Sequence, residues 1–292
     1  MRSKLFIINV VFLSVVAAEI RYVSVNGSDS NGDGTESSPF ATIQKGIDVS
    51  MSGDTIFVGP GTYNESVSYN GKQVKVLSTS GADSTVIYST SHNVRFENQE
   101  GSGAVLRGFT LAGNGNNRGV YAYENASPIL QDLVIYNKES AVWFHNNCDM
   151  TLINVTLTGN DYGIYGSHGS DISLTNSIIW HNNSSPIYMS ETSSSVTISY
   201  SDIQGGEINI GGSGSVTWGT GNITGNPLFC DAASDDYTLA ENSPGVGTGQ
   251  NSTNMGALDV GCGTLTDTGY YGPWYVSVNG SDSNGDGTES SP

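Results

Sequence analysis

The sequence predicts an all-β fold in which short parallel strands wind into a solenoid, with a short helix at its N-terminal end. The composition favours strands, because Gly (38 residues), Ser, Thr and Asn separate short β-branched and aromatic runs. The segments VLRGFTLAGN, ILQDLVIYN, TLINVTLTGN and SLTNSIIWHN end on asparagines spaced 23, 23 and 22 residues apart. A second marker, GVY, AVW, GIY and PIY, repeats at spacings of 22, 22 and 23. This period is too short for helix pairs or propeller blades, and the leucine frame of a leucine-rich repeat is absent.

Each repeat is interpreted as one turn of a coil, whose strands pair with the equivalent strands of the next turn about 4.8 Å away. The interior is then filled by apolar side chains such as Leu152, Val155 and Leu157. Asparagine tolerates left-handed backbone geometry, so it is expected at the corners, stacked on its equivalent one turn along. Two corner columns are predicted: Asn114, Asn137, Asn160 and Asn182, and Gly108, Asp132, Asn154 and Asn176. Asn154 also begins an N-x-Thr glycosylation sequence, but the corner position is favoured over a glycan.

Both ends of the coil need covers, because an open stack exposes strand edges and apolar surface. At the start, SPFATIQKGI predicts a helix with Ser38 as N-cap and Pro39 at the first helical position. One helix face then carries Phe40, Ile43 and Ile47. At the far end, NPLFCDAASDDYTLAENSPGVGTG predicts an irregular closing segment.

The three cysteines are predicted to lie in an oxidising compartment. Cys230 and Cys262 flank the closing segment, and we expect them to form a disulfide. Cys148 is left over and is predicted to be a small buried hydrophobe.

The chain is predicted to be an exported tandem array. The first residues, MRSKLFIINVVFLSVVAA, have a basic start, an apolar core and a small-residue cleavage site, so 1–18 is interpreted as a signal peptide. The eighteen residues Tyr22–Pro39 recur unchanged as Tyr275–Pro292. The expected organisation is one module at 22–263, a linker at 264–274 and the truncated start of a second module at 275–292. We expect a monomeric array that is secreted or held at the cell surface, without a membrane span.

The charge of −18, with only ten Lys and Arg residues, argues against nucleic-acid partners, which need a basic surface. A polyuronate would also be repelled unless bound cations bridged it. The expected partner is an extracellular polysaccharide or a cell-surface glycan.

Two stretches carry a resemblance to a known family. YVSVNGSDSNGDGTESSPFATIQKGID, continuing to GDTIFVGPGTYNE, resembles the N-terminal region of secreted proteins of the pectin-lyase-like superfamily. NPLF, DYTL, SP and MGA resemble their C-terminal segment. The resemblance implies a right-handed parallel β-helix. It specifies the fold better than the function, because the superfamily includes polysaccharide lyases, hydrolases, adhesins and uncharacterised surface proteins.

A calcium site is the first chemical candidate. Asp29, Asn31 and Asp33 form a D-x-N-x-D-G loop, whose alternating oxygen ligands suit calcium. The twelfth position is Phe40 rather than the bidentate glutamate of an EF-hand. The alternative is an Asx-rich turn that leads into the helix.

The resemblance also implies a possible lyase, in which a lysine or arginine base and bound calcium act together in β-elimination. Lys138 is the candidate base under this alternative. Aspartates on neighbouring turns are the candidate calcium ligands: Asp132, Asp149, Asp161 and Asp171. No family catalytic motif ties these residues together.

The sequence contains two weaker patterns, one typical of a catalytic site and one of a metal site. Asp235 and Asp236 form the single Asp-Asp pair, but they fall in the closing segment rather than on the central turns where a glycosidase pair belongs. His145 and His168 are 23 residues apart, and stacked imidazoles with Asp149 or Asp171 would suit a metal. Exposed corner residues are the favoured interpretation of both histidines.

An aromatic column is the candidate ligand-binding site. One aromatic residue recurs at the same position of four successive turns: Tyr121, Trp143, Tyr165 and Tyr188. Each follows a β-branched residue, so the two point to opposite faces of the strand. Because the aliphatic residues suit the core, the aromatic column is expected to face outwards and to stack sugar rings. The sequence therefore favours a non-catalytic module that binds glycans or other extracellular ligands. The alternative is a calcium-dependent pectate-type lyase.

Overall fold

The computed structural model describes residues 17–267 and consists of a parallel β-coil with little helix. Each full turn passes through three sheets, here called I, II and III, in that order along the chain. Strands of successive turns pair in parallel within each sheet, as the period predicts. The predicted signal peptide, most of the linker and the repeated segment 275–292 lie outside the described residues.

The strands of the coil are short, and their bounds are as follows. Sheet I has nine strands: Ile20–Val23, Thr55–Val58, Lys75–Ser78, Val105–Arg107, Ile129–Gln131, Asp149–Ile153, Asp171–Thr175, Ser195–Ser199 and Ser215–Trp218. Sheet II has seven: Gly61–Asn64, Thr85–Tyr88, Thr110–Ala112, Val134–Ile135, Thr156–Thr158, Ile178–Trp180 and Asp202–Ile203. Sheet III has seven: Val67–Ser68, Val94–Phe96, Arg118–Tyr123, Ser140–His145, Tyr162–Ser167, Ser185–Met189 and Gly211–Gly212.

The core is a set of apolar columns inside the coil. In sheet I the strand register places one inward residue of each turn directly on the next: Ile56, Val76, Leu106, Leu130, Leu152, Leu174 and Ile198. All of these side chains are buried. The predicted interior positions Leu152, Val155 and Leu157 are confirmed. Burial of each such side chain stabilises the fold by about 1.5–3 kcal/mol.

On four successive central turns, the corner between sheets I and II has one residue in left-handed conformation. Its φ values are 81° at Gly108, 52° at Asp132, 52° at Asn154 and 53° at Asn176. The Asn154 amide donates to the Asp132 carboxylate at 2.8 Å, one turn away. The second predicted column is therefore confirmed, and its residue types follow from the low cost of this conformation for Gly, Asn and Asp.

The other predicted column, Asn114 to Asn182, is wrong in part. Asn160 and Asn182 do stack, since Asn160 N–H donates to Asn182 Oδ1 at 3.2 Å. One turn earlier, however, the equivalent position is Lys138, whose N–H donates to Asn160 Oδ1 at 3.0 Å. Asn137 lies one residue out of the column with φ 55°, and the exposed Asn114 side chain bonds within its own loop. Two adjacent corner positions both suit asparagine, which is why the sequence spacing merged them.

The N-terminal helix begins later than predicted. It spans Ile43–Val49 with Thr42, not Ser38, as N-cap. Phe40 pairs with the strand Ile20–Val23, which holds the preceding residues in extended conformation and keeps Pro39 out of the helix. The predicted apolar face is confirmed for Ile43 and Ile47, which are buried, whereas Phe40 is buried but precedes the helix. The other helices of residues 17–267 are three short 3₁₀ segments: Glu207–Asn209, Ala232–Ser234 and Gln250–Ser252.

The closing segment, residues 226–263, covers the outer face of sheet II. It contains the small sheet IV, with strands Phe229–Asp231, Asp236–Ala240 and Val260–Cys262. Apolar side chains of the segment, among them Phe229 and Met255, form a second buried cluster with Val134 and Ile178 of sheet II. The predicted disulfide joins Cys230 to Cys262, with Cα atoms 5.9 Å apart. Cys148 is free and buried, as expected. Within the described part of the chain, no helix has the length and apolar character needed to span a bilayer.

Candidate functional site

The predicted aromatic column lies on the outer face of sheet III. Strand register places its members directly on one another, and we call these four residues the aromatic ladder: Tyr121, Trp143, Tyr165 and Tyr188. The preceding residue of each strand is fully buried: Val120, Val142, Ile164 and Ile187. The ladder side chains themselves are half-buried. The prediction that the aromatic residues face away from the core is therefore confirmed.

The rings of the ladder lie nearly parallel but are not evenly spaced. Ring centroids are 4.9 Å apart for Tyr121–Trp143 and 5.3 Å for Tyr165–Tyr188, with interplanar angles of 11° and 20°. The central step, Trp143–Tyr165, is wider at 6.4 Å and 15°. The rings are therefore stacked in one column, and the largest separation lies between Trp143 and Tyr165.

The ladder has a defined beginning and end. His92 stacks on Tyr121 at 4.8 Å, and Arg95 occupies the ladder position of the preceding turn. Gly211 occupies the position after Tyr188. A Cβ atom at Gly211 would lie 2.7 Å from the Tyr188 ring, so glycine is what allows that ring to lie over the last strand.

Further aromatic side chains flank the central step. The His145 ring meets Trp143 edge-on at 4.3 Å, and the Tyr162 ring meets Tyr165 edge-on at 5.5 Å. Burial and the neighbouring His168 lower the pKa of His145, which favours its neutral form. Sequence reasoning missed Tyr162. The 22-residue register that aligns it with Ser140 and Arg118 was the available signal.

A groove of about 560 Å³ surrounds the central step. Its rim carries two paired groups: Arg118 forms an ion pair with Glu139 at 3.0 Å, and the His168 imidazole contacts the Glu191 carboxylate at 3.5 Å. The Arg118 guanidinium also lies over the Trp143 ring, 5.3 Å from its centroid. The groove thus combines an aromatic floor with hydrogen-bonding groups at its rim, an arrangement suited to a ligand with an apolar face and polar edges.

The histidine pair does not form a metal site with an aspartate, which was the less favoured interpretation of these two residues. His145 and His168 contact each other edge-on at 5.7 Å, but Asp149 and Asp171 lie on sheet I, paired with each other. The acidic side chain that contacts this histidine pair is Glu191, whose carboxylate lies 3.5 Å from the His168 imidazole. Among residues 17–267 no three His, Cys, Asp or Glu side chains are grouped so that they could hold a metal ion.

Lys138, the candidate base of the lyase alternative, is inside the corner rather than on the outer surface. Its side chain is 1% exposed, and its ammonium donates to the carbonyl oxygens of Ser89 at 2.9 Å and Ser91 at 3.1 Å. Burial lowers its pKa to about 8. The Lys138 ammonium therefore links different turns of the coil through these hydrogen bonds.

The residues of the predicted calcium loop make separate structural hydrogen bonds. Asp29 accepts from Ala41 N–H at 2.7 Å, Thr42 N–H at 3.1 Å and the Thr42 hydroxyl at 2.7 Å, which holds the start of the helix. Partial burial opposes ionisation of Asp29, but these hydrogen bonds outweigh it and lower its pKa.

Asp33 accepts from the backbone and hydroxyl of Thr35 at 3.0 and 2.8 Å, and these bonds lower its pKa. Asn31 N–H donates to the Ser28 hydroxyl at 3.1 Å. These contacts match the Asx-rich turn that was the alternative for this loop, and calcium binding there stays a prediction.

Comparison with known proteins agrees with this architecture. A family model described as a right handed beta helix region matches residues 92–243, more than half of the chain. The chain belongs to the right-handed β-helix family. Residues 25–71 match a second family model, described as a protein of unknown function (DUF1565). The search of curated proteins gave no match. The predicted right-handed parallel β-helix is thus confirmed.

The comparison with solved structures gave matches at low identity, among them two lyases. A rhamnogalacturonan lyase is 15% identical, with a TM-score of 0.40, and the match covers 72% of this chain and 64% of that chain. The pectate lyase Pel9A is 14% identical, with a TM-score of 0.27, and the match covers 85% of this chain and 98% of that chain. The match thus spans less than two thirds of the rhamnogalacturonan lyase.

Proposed function

We propose that this protein is an exported, non-catalytic β-helix module that binds a glycan on the outer face of sheet III. One observation carries the proposal: four aromatic side chains are stacked in register on the outer face of sheet III, and the central two, Trp143 and Tyr165, line a groove with a polar rim. A column of large aromatic rings on an outer face has no role in filling the core. The aromatic column instead offers a surface on which a ligand can stack.

The chemistry of sugars fits this surface. A pyranose ring has apolar C–H faces and a perimeter of hydroxyl groups, so it needs an aromatic surface beneath it and hydrogen-bonding groups around it. Trp143 and Tyr165 line the groove, and Glu139 and Glu191 offer carboxylate acceptors at its rim. Hydrogen bonds from hydroxyls to ionised carboxylates are stronger than those between neutral groups.

The lyase alternative receives no support from a specific observation. β-Elimination needs a base that reaches the substrate's α-proton. The Lys138 ammonium instead points at two backbone carbonyl oxygens and is enclosed by the corner. Export is supported by the predicted signal peptide at 1–18, and a location outside the cell is part of the proposal.

The test is a binding survey with a matched variant. The full chain is run in native gels that contain one soluble polysaccharide each, with neutral glucans, mannans, xylans and galactans beside polygalacturonate. We expect at least one polysaccharide to retard the protein and Trp143→Ala to abolish the retardation. Retardation that persists unchanged in Trp143→Ala, or no retardation by any polysaccharide, would contradict the proposal.

A further inference from the structure

We propose that the aromatic ladder contains a single sugar subsite, at the step between Trp143 and Tyr165, and that this subsite takes one or two units of a neutral pyranose. The inference rests on the proposed glycan binding and adds where on the ladder the sugar binds and which chemical class it belongs to.

The position follows from which ring faces are already covered. Tyr121 and Arg118 belong to the same strand, one turn before Trp143, and both lie over the Trp143 ring at 4.9 and 5.3 Å. They therefore cover the side of Trp143 that faces the N-terminal end of the coil. The opposite side faces Tyr165 across the widest step of the ladder, 6.4 Å. Open aromatic surface is thus concentrated between Trp143 and Tyr165.

The polar groups are placed on both sides of this step. Arg118 is the first residue of its strand and Glu139 directly precedes the next one, whereas His168 and Glu191 come just after the ends of theirs. Because the strands of sheet III are parallel, the two paired groups lie at opposite ends of the strands, with the ladder between them. A pyranose over the aromatic floor would have hydrogen-bonding groups at both ends of its perimeter. Tyr121 and Tyr188, at the two ends of the ladder, do not line this groove.

The charges favour a neutral sugar. Two carboxylates of the groove, Glu139 and Glu191, face one guanidinium, that of Arg118, and the whole chain has a net charge of −18. A uronate or sulfated sugar would meet repulsion from both sources. A neutral sugar instead donates its hydroxyls to the carboxylates. Small ligands occupy cavities of roughly 300–1,000 Å³, and the groove of about 560 Å³ falls within the range for a mono- or disaccharide.

The first experiment measures how affinity depends on ligand length and charge. Calorimetric titration of the full chain uses cello-, manno- and xylo-oligosaccharides of two and six units, with hexagalacturonate as the anionic probe. A single two-unit subsite can hold a hexasaccharide in about five positions, so the best neutral disaccharide should bind within about fivefold of its hexasaccharide and more tightly than hexagalacturonate. Affinity that climbs steadily with length, or tighter binding of hexagalacturonate, would overturn the inference while leaving glycan binding intact. Binding of no probe and no polysaccharide would overturn the proposed function as well.

The second experiment maps the subsite with matched variants. Trp143→Ala and Tyr165→Ala should each weaken binding of the best disaccharide by roughly tenfold, whereas Tyr121→Ala and Tyr188→Ala should change it less than about threefold. Equal losses along the ladder would overturn the single subsite.

A rim variant provides a test that does not disturb the ladder. Glu191→Gln keeps the side-chain shape and should also weaken binding of the disaccharide by roughly tenfold, because hydrogen bonds to a charged acceptor are lost. Glu97→Gln is the control, since Glu97 pairs with Arg95 at 3.5 Å and is not among the residues that line the groove. Equal affinities of the Glu191 and Glu97 variants would contradict the assignment of the rim.

Discussion

Replacing Asp202 by Asn should change how the stability of the protein depends on pH. Asp202 pairs with Ile178 in sheet II, so its side chain points to the outer face, where Ile178 packs in the cluster beneath the closing segment. The Asp202 side chain is 0% exposed, and neither carboxyl oxygen has a hydrogen-bond partner within residues 17–267. Burial raises its pKa from 3.8 to about 8. The folded protein therefore keeps this carboxyl protonated at neutral pH.

The magnitude follows from proton linkage. Between pH 4 and pH 8 the unfolded chain has lost the Asp202 proton while the folded chain still holds it, so stability falls as pH rises. The slope is about 1.4 kcal/mol per pH unit for one such group. Stability is fully present below about pH 4 and has fallen by about 5 kcal/mol at pH 8. An asparagine does not titrate, so its own cost of burial is the same at every pH.

The assay is urea unfolding of the wild type and Asp202→Asn at pH 5, 6, 7 and 8. We expect the variant to gain about 4 kcal/mol relative to the wild type between pH 5 and pH 8. The exposed Asp83 provides the matched control, and Asp83→Asn should follow the wild-type pH profile. Parallel profiles for the wild type and Asp202→Asn would refute the reasoning.

Three further predictions concern the corner, the closing segment and catalysis. Asn160→Ala should lower the free energy of unfolding by about 2–4 kcal/mol, because the Asn160 amide N–H groups bond three acceptors and its oxygen accepts from Lys138 N–H. The control is Asn183→Ala at an exposed neighbouring site, which should cost less than about 1 kcal/mol. Equal losses in urea unfolding would count against the stacked corner. Reduction of the Cys230–Cys262 disulfide should cost about 3–4 kcal/mol in calorimetry, and an unchanged melting temperature would argue against it. Polygalacturonate with calcium should give no unsaturated product by ultraviolet absorbance, and a product lost in Lys138→Ala would restore the lyase alternative.

Much of the fold could be predicted because it repeats. An aliphatic residue followed by an aromatic one, such as Val142 and Trp143, occurs on four turns. Placing the aromatic side chains inside the coil would expose four aliphatic residues and bury four large rings with polar tips, so the opposite orientation could be predicted. The left-handed corner at Asn154 could be predicted because asparagine tolerates this backbone conformation. The Cys230–Cys262 disulfide could be predicted because the chain has three cysteines and thus few pairings.

The exact corner residues could not be predicted, because loop lengths differ between turns and a single repeat period does not show this. Val134 pairs with Thr110 at an offset of 24 residues, but Ser140 pairs with Arg118 at 22. The corner between these strands absorbs the difference, which is why Asn137 was assigned to a position that Lys138 occupies. The groove was missed for another reason. Its rim unites side chains from strand starts and strand ends of different turns, and only the parallel register brings them to one face.

Hydroxyl-radical footprinting of the full chain tests the central claim, glycan binding by the aromatic ladder, most directly. The protein is oxidised with and without the neutral oligosaccharide that binds best, and peptides are read by mass spectrometry. The account predicts that oxidation of Trp143 and Tyr165 falls on binding, whereas oxidation of Tyr88, which is 37% exposed on sheet II, is unchanged. Protection confined to the separate cleft lined by Phe57, Leu77 and Leu258, with Trp143 oxidised as before, would contradict it.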